Sequence, residues 1–123
     1  MNSFAQAQRA YAPTQAATKT ARSSEYDVIA RISHRIKRAL QRDDFVALAE
    51  ALHENNQLWT ALAVDAANPE NLLPDDLRAR IVYLADFTRQ HSHKVLRKLE
   101  SAVPLLEINA AILKGLKQEV VGK

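Results

Sequence analysis

Four histidines, His34, His53, His91 and His93, are the residues of this 123-residue chain best suited to proton transfer or metal binding. None makes the i, i+4 pair that puts two imidazoles on one helical face for zinc, and His91 and His93 project in roughly opposite directions from a helix. There is no glycine-rich phosphate loop and no serine in a nucleophile motif. The chain has no cysteine, which removes thiolate chemistry and a disulfide framework. Glu70, Asp75 and Asp76 are accounted for by a loop and the helix N-terminus that follows it, where carboxylates are favoured by the helix dipole. No catalytic residue, metal or cofactor is therefore expected, and the chain reads as a non-enzyme.

Two other patterns carry more. Arg31, Arg35, Arg38 and Arg42 recur at helical spacing, either as a solvated charged face or as a row of phosphate contacts on a nucleic acid. Polar residues also interrupt apolar stripes: Asn55 between Leu52 and Trp59, Thr88 and His91 between Leu84 and Val95, and Asn109 in the last apolar stretch. A buried amide without a partner costs about 1 to 3 kcal/mol. These groups must then bond to one another in a layer that sets helix register, or meet a polar group inside a partner groove. Counting back from the turns brings Asn55 level with residues 86 to 88, and Ser33 within reach.

The elements that must position them are helices. Phe45, Leu48, Leu52, Trp59, Leu62 and Ala66 fall at three- and four-residue intervals, as do Leu77, Ile81, Leu84, Val95 and Leu99. Two such stripes joined by a loop around Pro69 and Pro74 must pack as an antiparallel hairpin, with Trp59 near Ile81, Leu84 or Phe87. A preceding helix starts near Ser23 or Ser24, whose hydroxyls suit a cap, and carries Ile29, Ile32, Ile36 and Leu40 inward. Asp43 or Asp44 caps the second helix, which Asn68-Pro69 stops after Ala67. The third opens at Leu73-Pro74-Asp75-Asp76 and should reach about Ser101. Pro104 starts the fourth, where Leu105, Ile108, Ile112 and Leu116 line one side, widened by Leu106, Leu113 and Val120. That arc is broader than one neighbouring helix requires.

The expected fold is all-α, an antiparallel bundle of about four helices over residues 23–121. Residues 1–22 precede it as a flexible or docking segment, in which a short helix would carry Phe4, Ala7 and Tyr11 until Pro13 ends it. Only two glycines and four prolines occur, and nothing alternates with period two, so strands have no support. Residues 1–42 hold eight Lys/Arg against two Asp/Glu, residues 43–86 two against nine, and residues 87–123 seven against three. A basic first helix beside an acidic second one attracts it, so the segregation serves packing or partner steering as readily as nucleic acid. No run approaches the roughly 18 apolar residues of a membrane span, and no leader-like apolar stretch follows Met1. With no cysteine, a reducing compartment fits, and a cytoplasmic protein without a membrane partner is expected.

Three stretches carry a resemblance: Leu58-Trp59-Thr60-Ala61-Leu62-Ala63, Leu73-Pro74-Asp75-Asp76-Leu77-Arg78-Ala79, and Leu106-Glu107-Ile108-Asn109-Ala110-Ala111-Ile112-Leu113-Lys114-Gly115-Leu116. With Tyr11, Arg22-Ser23-Ser24-Glu25 and Ala85-Asp86-Phe87-Thr88-Arg89-Gln90-His91, they give a chain that resembles the FlaF family of bacterial flagellar biosynthesis regulators over nearly its whole length. The resemblance implies a role in flagellin production and export, with the protein acting as a flagellin-specific chaperone and positive factor and FlbT as its opposing partner in translational control. It also implies a client whose polymerising termini are amphipathic helices. A groove lined by Leu105, Ile108, Asn109, Ile112 and Leu116 has the pitch to hold one. Phe4 and Tyr11, on their tether, would cover that groove until flagellin displaces them. The alternative is a regulator that contacts flagellin messenger RNA through the arginine stripe, although no aromatic stacking platform accompanies that stripe.

Overall fold

A computed structural model of the chain describes the backbone of residues 21–121 and the side chains of residues 25–115. Four helices follow one another through short connections: α1 (Ala21–Gln41), α2 (Phe45–Ala67), α3 (Asp75–Leu96) and α4 (Val103–Val121). No strand occurs among the described residues, and the fold is the all-α antiparallel bundle. Helix α2 lies between α1 and α3, while α4 runs along α1 and meets α3 only sparsely.

Helix ends show where local chemistry governs. Asp44 caps α2, its carboxylate accepting from the Ala47 amide at 3.0 Å, and the helix stops at Ala67, just ahead of Asn68 and Pro69. Helix α1 already holds Ser23 and Ser24, the residues expected to start it, and reaches back to Ala21, the first described residue. Helix α3 ends at Leu96, short of the expected Ser101. The reason lies in the backbone: the Leu99 amide donates to the Lys94 carbonyl and the Lys98 amide to that of Val95, both at 2.9 Å. That is the Schellman pattern, which needs a left-handed residue and normally takes glycine there. Here Lys98 supplies it at φ 62. The end of α1 repeats the device: Asp43 and Asp44 donate to the Leu40 and Ala39 carbonyls, with Asp43 at φ 53.

The core falls into two connected parts. Val28, Ile29, Ile32 and Ile36 of α1 pack with Leu48 and Leu52 of α2, Val95 of α3 and Leu105 of α4. A second group gathers around Trp59, Ala66 and Ile81, with Leu62, Leu73, Leu77, Leu84, Ile108 and Ile112 partly buried against it. Trp59 is thus in the α2–α3 hairpin beside Ile81 and Leu84, as its place in the stripe requires, and it also reaches α4. Arg78 fastens the hairpin. Its guanidinium donates to the Ala66 carbonyl at 2.7 Å and the Asn68 carbonyl at 2.9 Å, filling acceptors that the end of α2 leaves open.

Three residues that periodicity places inside are outside. Leu40, Phe45 and Leu99 are exposed. Leu40 and Phe45 sit at the very ends of α1 and α2, and Leu99 lies beyond the end of α3, so no neighbouring helix extends far enough to cover them.

Candidate functional site

Asn109 is fully buried in α4 and ties three helices together. Its side-chain nitrogen donates to the Ser33 hydroxyl of α1 at 3.0 Å and to the Asn55 carbonyl oxygen of α2 at 2.9 Å. Its own carbonyl oxygen accepts from the Trp59 indole at 2.8 Å. Both amide protons and the oxygen are therefore used, in a setting where each bond is costly to lose. Spacing correctly indicates that polar groups lie inside the bundle and bond to one another, but it does not indicate that Asn109 is the hub. The bonding partner of Asn55 is Asn109, because α4 packs along α1 and its Asn109 side chain reaches across the core to α2. Ser33 is likewise reached by Asn109.

The other polar residues have their own partners. His91, buried and stacked on Phe87 with ring centroids 5.3 Å apart, donates from Nε2 to the Ser101 carbonyl at 2.7 Å and so ties α3 to the turn after it. Ser92 is fully buried and donates to the Asn56 side-chain oxygen at 3.1 Å. Two buried atoms, Asn55 Nδ2 and Thr88 Oγ1, have no hydrogen-bond partner among the described residues. Nothing in the spacing of serines distinguishes Ser92. Nor does any local signal mark Arg78, whose reach to the carbonyls of the preceding helix depends on how the α2–α3 turn folds back.

Among the residues expected to line a groove, Leu105 and Asn109 are fully buried. They are bundle core and cannot touch a partner in this conformation. Ile108 and Ile112 are half-buried, on the flank where α4 and α3 fail to close. Leu62, Leu77 and Leu84 are half-buried on the same cluster, over the buried Trp59 and Ile81. The apolar surface left accessible is thus a seam between α3 and α4 floored by α2. Leu116 falls one turn beyond Ile112, but its side chain lies outside the described residues, as do Phe4 and Tyr11.

The arginine stripe is interrupted. Arg35 is hydrogen-bonded to Glu54 of α2. Arg38 and Arg42 border a shallow cleft between α1 and α2 that also holds Asp44 and Glu50. The acids of α2 thus offset the cations of α1, as the charge segregation suggests.

No curated protein and no solved structure matches the chain. A family model described as flagellar protein FlaF matches residues 7–116, a span that takes in Trp59, Arg78 and Asn109 and the whole α3–α4 seam. The stretches that suggest the kinship meet in space, since Trp59 bonds Asn109 and Arg78 clasps the end of the tryptophan-bearing helix; the chain belongs to the FlaF family of flagellar proteins.

Proposed function

We propose that this protein is a flagellin-binding chaperone and positive regulator of flagellin synthesis and export, acting in the cytoplasm and holding an amphipathic terminal segment of flagellin. The observation that carries this reading is the seam. Half-buried Leu62, Leu77, Leu84, Ile108 and Ile112 lie along one side of the bundle, within a family whose members are flagellar proteins. An amphipathic helix offers apolar side chains at i, i+3, i+4 and i+7, and a seam between two helices that touch only sparsely can receive them. Burial at roughly 25 cal/mol per Å² over about 1,200 Å² leaves useful affinity after the cost of ordering the client. Leu105 and Asn109 serve by shaping the floor, and Ile108 and Ile112, with Leu116 next on their stripe, by contact.

Residues 2–12, with Phe4 and Tyr11, compete for the same seam in this proposal, and FlbT remains the opposing partner at the level of translation. Calorimetry with full-length protein and a flagellin terminal peptide tests it. Ile112→Asp should abolish binding by placing a charge among apolar groups, and removal of residues 2–12 should tighten it. Unchanged affinity in Ile112→Asp rules out the seam; unchanged or weaker affinity after truncation rules out the competitor. Contact with messenger RNA through α1 is the weaker reading, given Glu54 on Arg35 and the acids in the neighbouring cleft. A salt titration separates the two, because phosphate neutralisation weakens steeply with salt and apolar burial does not.

A further inference from the structure

The inward stripes of α1, α2 and α3 run off the same end of the bundle. Leu40, Phe45 and Leu99 are 36%, 42% and 63% exposed, and Val46, Leu96 and Val103 join them at 69%, 36% and 48%. All six sit where α1 passes to α2 and α3 passes to α4. Large apolar groups gathered this way on a water-facing surface mark an interaction site more often than chance.

The two turns at this end are built to hold that surface. They carry Asp43 and Lys98, the non-glycine residues with positive φ among the described residues. Glycine is the low-energy choice at such a position, so Lys98 brings a cation at a conformational cost that glycine would avoid. Its ammonium stands 4.9 Å from the centroid of the Phe45 ring and draws the two turns together. Around them, residues 37–46 and 94–103 contain six Lys/Arg against three Asp/Glu, an excess equal to the whole chain's net charge of +3. One of the three acids, Asp44, is already committed to the first turn of α2.

We propose that this end of the bundle is a second docking surface, for a protein partner that presents an acidic segment bearing apolar side chains. The apolar groups supply the burial, and the surrounding cations select the sign of the partner and steer its approach. A second copy of this chain does not fit, because a two-fold pairing would set two basic ends against each other. A folded partner suits the surface better than an anionic lipid layer, since Asp43 and Glu100 stand among the apolar groups and need a cation or donor placed opposite each, which a protein can supply and a uniform layer of anionic headgroups does not. The seam lies along the flank between α3 and α4, so a client there leaves this end open to a second protein.

The experiment places a photoreactive residue at Val46, at Leu99 or, as a control, at Tyr83, which is 68% exposed in the middle of α3. Each full-length protein is made in cells that assemble the flagellum, and adducts are sequenced by mass spectrometry. The expected result is one protein attached from both Val46 and Leu99 but not from Tyr83, through a peptide of net negative charge that contains apolar residues. Adduct yield should fall at least tenfold in Lys94→Glu/Arg97→Glu, both exposed and outside the Lys98–Phe45 contact, with the helix content by far-UV circular dichroism unchanged. No adduct, the same adducts from Tyr83, attachment to lipid or to a second copy, or a peptide without acidic residues would each overturn the proposal. So would an adduct that survives charge reversal.

Discussion

The two ends of the bundle close their helices by different means. Where α2 hands over to α3, side chains do the work: Arg78 fills the Ala66 and Asn68 carbonyls, Asn71 bonds the Asp65 carbonyl at 3.0 Å, and Asn68 and Asn71 each accept from a backbone amide in the turn. Apolar residues beneath this turn, such as Ala66 and Leu73, are drawn into the core, and a single large one within the turn, Leu72, stays outside. At the opposite end the backbone closes both helices with Schellman turns, and the large apolar residues stay outside. One end invests its side chains in stability; the other leaves them available.

That contrast can be broken in a graded way. The largest effect belongs to Trp59→Ala, which empties the junction of α2, α3 and α4 and should cost about 3 to 5 kcal/mol, much of a domain's stability. Far-UV circular dichroism with urea reads it, and a midpoint equal to wild type would place Trp59 outside the core. Next comes Asn109→Leu. It leaves the Trp59 indole N–H and the Asn55 oxygen buried without partners, and should lower stability by about 2 to 4 kcal/mol even though a leucine fills the space. Arg78→Met keeps the stem but strips the two carbonyls of their donor, for a loss of about 1 to 3 kcal/mol at an unchanged m-value.

At the basic end the sign should reverse. Lys98→Gly relieves a left-handed side chain, a term of about 1 kcal/mol that the lost contact with Phe45 offsets in part. An unchanged or slightly raised midpoint is expected there. A clear drop would show that Lys98 is needed for the turn itself and would erase the difference between the ends.

How much of this was legible beforehand depends on whether a signal is local. Both ends of α2 follow from Asp44 and from Asn68-Pro69, which act within a few residues of themselves. The end of α3 could not be read, because Lys98 occupies a position that sequence marks only when it holds glycine. Asn55 and Asn109 were recognisable as polar intrusions in apolar stripes. Their pairing depended on whether α4 lies against α1 or α3, which no spacing within a helix encodes. The expected groove residues divide for the same reason: Leu105 and Asn109 share a stripe with Ile108 and Ile112, but the angle at which α4 crosses the bundle decides which of them remain accessible.

The lodging of α4 against α1 has a consequence for synthesis. The bond from Asn109 to Ser33 spans 76 residues, and part of the apolar face of α1 waits for the last helix of the bundle. On the ribosome, α1, α2 and α3 emerge with Ser33, Asn55 and the Trp59 indole still lacking Asn109. In a three-helix precursor those groups are left to water on the face that α4 will cover, so the core stays incomplete until α4 clears the exit tunnel.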